Sequence, residues 1–208
     1  NFVLDGHVGD KLVVAARTSG EQGDRDGITL FLIDRESQGV DVTRTLMADS
    51  RNAANIKFEG VSVAGDAVIG EVGKGADILD PALDIARIGI SAEMLGSLQE
   101  CFERTVEYLK ERKQFGVAIG SFQALKHRAA NMFCEIELSK SCVLEALTAL
   151  EEQREGEEIA KLASLAKAKV GETFNLVSRE GIQMHGGIGM TDEFDIGFFI
   201  KRAAVTEQ

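Results

Sequence analysis

The feature that most constrains the fold is a change of hydrophobic period near residue 75. Before it, short apolar runs at residues 11–17 and 28–33 are separated by polar, glycine-punctuated segments, which is typical of β-strands. After it, apolar residues recur every three or four positions, as they do on one face of a helix. No strand alternates with a helix, which argues against a Rossmann fold. We therefore predict an α+β chain whose strands precede its helices.

The strand-like part extends over residues 1–75. Residues 40–44, 55–58 and 61–63 continue the short alternating pattern, so we expect part of an antiparallel β-barrel or sandwich. The glycine-rich segment 70–75 marks the predicted boundary between a first domain, residues 1–75, and a second, residues 76–208. Because Asn1 stands in place of Met and opens a strand-like segment, we expect the chain to begin inside a longer protein.

Four helices are predicted after the boundary. Asp80 and Pro81 resemble an N-cap followed by proline at the first helical position, and the first helix should end at Arg112. The apolar stripe predicted for that helix comprises Leu83, Ala86, Ile90, Met94, Leu98, Phe102, Val106 and Leu109. Further helices are expected over residues 121–153 and 158–183 and after residue 192. Long helices joined by short polar turns predict an up-and-down four-helix bundle.

The charge balance narrows the possible functions. A formal net charge of −11 argues against non-specific nucleic-acid binding, which requires a basic surface. A phosphate-bearing ligand would have to be met by local cations. No apolar run approaches the roughly 20 residues of a membrane span, and no signal peptide opens the chain. The three histidines and three cysteines lack the spacing of metal ligands, so no metal site is predicted.

Arg112, Gln114 and Phe115 lie between the first two predicted helices and are followed by Gly116. A cation at a helix end and a glycine after it are also ordinary features of helix termination. An aromatic residue in the turn lacks such a structural reason. Because a planar guanidinium can pair with a pyrophosphate through two hydrogen bonds, we predict a ligand contact here.

A second motif, at the end of the third predicted helix, contains Gln183, Gly186 and Gly187. It could be a simple helix C-cap and turn. Two adjacent glycines also remove side chains where a backbone passes close to another group, and Gln183 could supply an amide donor. His185 is expected to pack or to form a hydrogen bond rather than to catalyse.

A third motif opens the first long helix, where Asp84 and Arg87 are three residues apart. On its own it could be a solvated ion pair. In their order and spacing, the three motifs resemble the C-terminal half of the acyl-CoA dehydrogenase family of flavoproteins. In that family R-x-x-F-G contacts FAD, Q-x-x-G-G meets the FAD of a neighbouring subunit, and L-D-x-x-R lies by the acyl-CoA. The resemblance therefore implies FAD contacts by Arg112, Gln114, Phe115, Gln183, Gly186 and Gly187, and acyl-CoA contacts by Asp84 and Arg87.

The resemblance implies FAD-dependent α,β-dehydrogenation of an acyl-CoA thioester. A carboxylate removes the α-proton, and the β-hydrogen leaves as hydride to the flavin. It also implies an electron-transfer flavoprotein as partner, a homodimer or homotetramer, and a location in a bacterial cytoplasm or the mitochondrial matrix. A subset of the family carries its catalytic Glu where this chain has Ala86. Glu193 and Glu207 do not match the motif position of the base, so no catalytic residue is assigned.

Two alternatives stay open at this point. The chain could belong to a non-catalytic helical subunit of a heteromeric acyl-CoA dehydrogenase, with which Ala86 is compatible. It could also belong to an acyl-CoA oxidase, which would share the three motifs but react with oxygen directly. Neither the length nor the branching of the acyl chain can be predicted, because the pocket floor depends on packing.

Overall fold

The computed structural model describes residues 1–207. The chain forms two compact units, one comprising Asn1–Leu83 and the other the residues from Asp84 onward. The antiparallel strands followed by helices confirm the predicted α+β class. The domain boundary at residues 75 and 76 stays a prediction.

The first unit contains two three-stranded antiparallel sheets, with strand orders β1-β5-β4 and β2-β3-β6. The strands are β1 (Val3–Leu4), β2 (Lys11–Arg17), β3 (Ile28–Asp34), β4 (Val40–Leu46), β5 (Asn52–Phe58) and β6 (Val68–Ile69). Within residues 1–207 these strands do not close into a barrel. The strand predicted at residues 61–63 was wrong, because Val63 is 39% exposed and this short alternation buries no face.

Four helices lie within residues 1–207, as predicted: α1 (Gly75–Glu111), α2 (Gln123–Glu151), α3 (Gly156–His185) and α4 (Ile196–Glu207). The predicted start of α1 at Asp80 was wrong, and Pro81 lies inside the helix. A Cβ on Gly75 would stand 2.9 Å from the Leu30 side chain and 3.0 Å from the Ile28 carbonyl oxygen. This close packing against β3 sets the helix start, so tertiary contact overrides the local capping signal.

Helices α1 and α3 run side by side in the same direction. Cys101 Sγ lies 3.8 Å from the Val177 carbonyl oxygen, and seven residues later Tyr108 Oη lies 3.2 Å from that of His185. A Cβ on Gly181 would stand 3.1 Å from Cys101 Sγ. The absence of a side chain at Gly181 therefore allows the two helices to approach closely.

Helix α2 runs in the opposite direction. Arg128, near the start of α2, pairs with Glu180 near the end of α3 at 2.5 Å. Glu135, about two turns later on α2, pairs with Lys169, which lies earlier on α3. These pairs confirm the up-and-down relation between α2 and α3.

The bundle core is built on a stripe of α1 that differs in part from the predicted one. Met94, Leu98 and Leu109 are buried as expected, whereas Leu83 is 40% exposed and Ile88 is buried in the stripe. The stripe also contains buried polar residues that hydrophobicity alone could not reveal: Asp84, Ser91 and Thr105. The two hydroxyls donate to carbonyl oxygens four residues earlier on the same helix, so their burial leaves no donor unpaired.

Candidate functional site

The residues that follow α1 form a short β-hairpin. Its strands are β7 (Lys113–Gln114) and β8 (Val117–Ala118), joined by Phe115 and Gly116. Both turn residues have positive φ, 55° and 80°, which is the pattern of a type I′ turn. Glycine adopts this conformation at no cost, whereas a bulky residue is strained in it. The sequence predicted a turn here but not a hairpin.

Phe115 is the most unusual residue of this hairpin. Its side chain is 91% exposed, and it meets the ring of Phe122 edge-on with 6.0 Å between centroids. A strained, exposed aromatic residue is not explained by the packing of the described chain. Strain of this kind concentrates at ligand-binding positions, so Phe115 is a candidate ligand contact.

Arg112 presents an unpaired cation beside the hairpin. Its amide donates to the Tyr108 carbonyl at 2.9 Å, and its own carbonyl accepts from the Ile119 amide at 2.8 Å. The backbone is therefore fixed. The side chain is exposed, and within residues 1–207 its guanidinium has neither a hydrogen-bond nor an ion-pair partner. Gln114 is also exposed, and its side-chain Nε2 donates to the Lys113 carbonyl.

The second motif ends α3 and is open to its surroundings. Gln183 is exposed, and its carbonyl accepts a hydrogen bond from the amide of Gly186, whose φ is 65°. A Cβ on Gly186 or Gly187 would meet no atom of the described chain within 4 Å, whereas one on Gly189 would stand 2.8 Å from the Ile182 carbonyl oxygen. Packing within this chain therefore requires Gly189 but not Gly187.

One contact brings the two motifs together at the same end of the bundle. The ring of Tyr108 stacks on that of His185 with 4.2 Å between centroids and 23° between planes. The Tyr108 hydroxyl also donates to the His185 carbonyl at 3.2 Å. Tyr108 lies one turn before Arg112, and His185 lies between Gln183 and Gly186, so the pair links both motifs.

His185 packs, as the sequence indicated. It is 5% exposed, its Nδ1 lies 2.6 Å from the Gly181 carbonyl oxygen, and Phe194 meets it edge-on. Because a carbonyl can only accept, Nδ1 carries the proton. Burial lowers the pKa of the imidazole, since it removes the water that would solvate the charged form, and the bond to Gly181 opposes that shift.

Asp84 and Arg87 lie at the other end of the same bundle. Arg87 Nη1 stands 2.6 Å from Asp84 Oδ1, and the acid side chain is 10% exposed while the base is 44% exposed. Arg87 borders a cavity of about 430 Å³ whose other lining residues are Ser164, Lys167, Ala168, Gly171, Glu172 and Glu207. At 1.5 Å per residue, about 36 Å of helix axis separate Arg87 from the end of α1.

Two further carboxylates named in the sequence lie in different places. Glu207 borders the cavity beside Arg87. Glu193 borders a cavity of about 270 Å³ beside His185, at the opposite end. Ala86, next to Arg87, is exposed. In the part of the chain that the structure describes, no three His, Cys, Asp or Glu residues are grouped as metal ligands, and no helix combines the length and apolarity needed to cross a membrane.

Neither Tyr108 nor Phe194 was predicted from the sequence to belong to the candidate site. Tyr108 carried one signal, because it is the only tyrosine of the chain and precedes Arg112 by four residues, which is one helical turn. Its stacking on His185 joins residues 77 positions apart, and no local pattern encodes that contact.

Comparison with known proteins places these motifs in a family. The model of the acyl-CoA dehydrogenase C-terminal domain matches residues 73–207. The chain belongs to the acyl-CoA dehydrogenase family. Within that family it is 32% identical, over 98% of its length, to 47% of the mitochondrial short/branched chain specific acyl-CoA dehydrogenase of Bos taurus.

Two other relatives extend the comparison. The chain is 30% identical, over 94% of its length, to 51% of the caffeyl-CoA reductase-Etf complex subunit CarC of Acetobacterium woodii. The structure of butyryl-CoA dehydrogenase from Megasphaera elsdenii superposes with a TM-score of 0.89 and 28% identity, covering 99% of this chain and 54% of that one. The chain thus spans about half the length of the relatives it matches. The family resemblance inferred from the motifs is confirmed.

Proposed function

We propose that this chain is part of a FAD-dependent acyl-CoA dehydrogenase that removes hydrogen from the α and β carbons of an acyl-CoA thioester. One observation carries the proposal. The unpaired Arg112 and the strained, exposed Phe115 lie at the same bundle end as Gln183 and the open Gly186–Gly187 turn, linked by the stacking of Tyr108. Their order along the chain is that of the family's flavin-binding motifs.

The residues at this end suit FAD. An unpaired guanidinium can form two charge-assisted hydrogen bonds with the pyrophosphate, and the exposed ring of Phe115 offers a flat apolar surface. The open space beside Gly187 lets a ligand approach the backbone. Helix α2 begins close by at Gln123, and among the described side chains none caps its N-terminus. Its unpaired amides favour a nearby anion.

These local groups matter because the chain as a whole is acidic, with a net charge of −11. The long-range field would repel a pyrophosphate, so binding has to come from short-range pairing and a preorganised backbone. The amide of Arg112 is held by Tyr108 and its carbonyl by Ile119, which reduces the entropy lost when its side chain meets the ligand.

At the other end, Arg87 and the cavity beside it are our candidate for the acyl-CoA side. The buried Asp84 carboxylate is already engaged by Arg87, so its role is to hold the guanidinium, which is the group left to contact the substrate. Bound FAD would accept the hydride. The chain's own share would be to bind and orient substrate and cofactor, and we assign no catalytic base within residues 1–207.

The separation of the two ends supports an oligomer. About 36 Å of helix axis separate Arg87 from Glu111, the residue before Arg112, which is too far for both arginines to border one reaction centre. In a homodimer or homotetramer, the Arg87 end of one copy could meet the Arg112 end of another, so that each centre is built from two copies. For this reason we propose a symmetric oligomer as the working form.

The relative from Acetobacterium woodii is named as a subunit of a reductase–Etf complex. That name supports an electron-transfer flavoprotein as the partner that reoxidises the reduced enzyme. A second candidate function, a non-catalytic subunit paired with a catalytic one, is favoured by a single observation: the exposed Ala86 occupies the position where part of the family carries its base.

The test is the absorbance of the purified full-length protein, of which this chain is a part, during anaerobic titration with acyl-CoAs of different chain lengths. We expect a flavin band that bleaches with one class of acyl-CoA and recovers on addition of electron-transfer flavoprotein. Absence of flavin, or a band that no acyl-CoA bleaches, would contradict the proposal. Bleaching only after a second, unlike subunit is added would support the non-catalytic alternative, and rapid recovery in air would indicate an oxidase.

A further inference from the structure

The contact between Tyr108 and His185 links the two flavin motifs but belongs to neither. Tyr108 is part of α1, and its carbonyl accepts the amide of Arg112 at 2.9 Å. His185 is the last residue of α3, and the amide of the next residue, Gly186, donates to the Gln183 carbonyl. The two rings therefore join the last turn of one helix to the last turn of the other.

The geometry gives this contact two separate parts. The rings are stacked, with 4.2 Å between centroids, and Phe194 closes the stack edge-on against both. The Tyr108 hydroxyl donates to the His185 carbonyl at 3.2 Å, one of the carbonyls that the end of a helix leaves without an intrahelical partner. The peptide unit between His185 and Gly186 is thus held from both sides, through its carbonyl by Tyr108 and through its amide by Gln183.

On the core side, the two helix ends also share a hydrophobic cluster in which Leu109 and Met184 are buried. The nearest close approach of α1 and α3 lies one turn earlier, where Gly181 faces Cys101 and Thr105. Beyond it, the hairpin side of α1 and the Gly186–Gly187 turn are exposed. On this exposed side, the Tyr108–His185 pair is the contact that links the end of α1 directly to the residue before that turn.

We propose that Tyr108 is a positioning residue for flavin binding: through its stacking on His185 and its hydrogen bond to the His185 carbonyl, it sets the distance and angle between Arg112 and the Gly186–Gly187 turn. This inference rests on the proposed FAD site, with Arg112 and the Gly186–Gly187 turn of one copy meeting the same FAD, which is bound to a neighbouring copy. Tyr108 need not touch FAD, because a pyrophosphate that must meet a guanidinium and a backbone turn together is sensitive to their spacing.

The test is a double-mutant cycle on the apo-protein, read as the dissociation constant for FAD from quenching of flavin fluorescence. The single variants are Tyr108→Leu and Arg112→Ala, and the double variant combines them. We expect Tyr108→Leu to weaken FAD binding about tenfold and to have little further effect once Arg112 is already Ala. Tyr108→Phe keeps the ring that stacks on His185 and loses only the hydroxyl. It should therefore bind FAD more tightly than Tyr108→Leu and about two- to fivefold more weakly than the wild type.

Phe102→Leu is the matched control, since Phe102 is an aromatic of the same helix that contacts Phe133 at 6.3 Å, away from both motifs. It should leave FAD affinity unchanged. Full additivity of Tyr108→Leu and Arg112→Ala, no effect of Tyr108→Leu, or an equal effect of Phe102→Leu would each overturn the inference while leaving the FAD site in place. No effect of Arg112→Ala would overturn the FAD site itself and the inference with it.

Discussion

Asp84 and Arg87 form an ion pair in which the acid is buried and the base is half-exposed. Asp84 Oδ1 lies 2.6 Å from Arg87 Nη1, and the two residues are three positions apart on α1. The Asp84 side chain is 10% exposed and the Arg87 side chain 44% exposed. A buried carboxylate that has lost its water depends on its partner. The acid therefore fixes the base, and the base remains available to a ligand.

Replacing Asp84 by Asn should cost about 1–2 kcal/mol of unfolding free energy, because a charge-assisted hydrogen bond is lost at a partly screened position. Acyl-CoA affinity should fall as well, because Arg87 is no longer held. Urea unfolding and ligand titration measure the two effects. The control is Glu137→Gln, which breaks an exposed pair of the same spacing on α2 and should cost less than about 0.5 kcal/mol. Equal costs for the two variants would contradict the buried role of Asp84.

Replacing Arg112 by Ala should release FAD without loss of fold. Loss of a charge-assisted hydrogen bond costs about 1.5–3 kcal/mol, which corresponds to about one to two orders of magnitude in affinity. The flavin content after gel filtration and a fluorescence titration measure this. Lys110→Ala is the matched control, because Lys110 lies on the same helix end but is paired with Glu107. If both variants retain flavin equally, Arg112 is only a helix-end charge.

Replacing Phe115 by Asn should separate stability from binding. Asn tolerates positive φ and is favoured in type I′ turns, and the 91% exposed ring contributes little burial. We expect an unfolding free energy equal to or higher than that of the wild type, together with weaker FAD binding. Phe122→Leu is the control, because it removes the contact between the Phe115 and Phe122 rings while Phe115 itself is kept. Its effect on stability shows how much the loss of that contact contributes to the Phe115→Asn result. A clear loss of stability in Phe115→Asn would show that the hairpin is held by its aromatic residue.

The stability of the chain should fall as the pH falls below about 6.5, the usual pKa of histidine. Burial lowers the pKa of His185 in the folded state, so the unfolded chain takes up a proton that the folded chain refuses. Arg104, Glu193 and Asp195 line the cavity beside this ring. His185→Phe keeps the stacked ring and removes the titration. The wild type should lose stability relative to this variant as the pH falls below about 6.5, as measured by urea midpoints. If the difference in urea midpoint between the wild type and His185→Phe did not change with pH, His185 would not be the source of the pH dependence.

Three parts of the fold differ in how well they could be predicted from the sequence. The four helices were predictable, because their period of three to four residues extends over long segments. The start of α1 was not, because Gly75 packs against Ile28 and Leu30, which are distant in sequence. The hairpin was also missed, because Phe115 is a residue that a type I′ turn disfavours.

The candidate site also contains residues that could be predicted from the sequence and contacts that could not. Arg112, Phe115, Gln183 and the two glycines could be proposed from the sequence because their spacing forms recognisable motifs. The stacking of Tyr108 on His185 that joins those motifs was not, because it depends on two helices running in parallel with their ends aligned. Burial of Asp84 was missed for a related reason, since only the packed bundle distinguishes a buried carboxylate from a solvated one.

Helix α1 carries Arg87 about one third of the way along its length and is followed by Arg112 at its C-terminal end, so the length and the rotation of the segment between the two arginines are both constrained. One inserted residue would turn everything beyond it by about 100° and shift it by about 1.5 Å. Either end could still fold locally, but the Arg87 and Arg112 side chains would point in different relative directions, which would disturb the pairing of copies proposed above. An insertion of about seven residues, close to two whole turns, would nearly restore the orientation, but it would lengthen the helix by about 10 Å. The spacing between the two arginines should therefore tolerate substitutions far better than insertions or deletions.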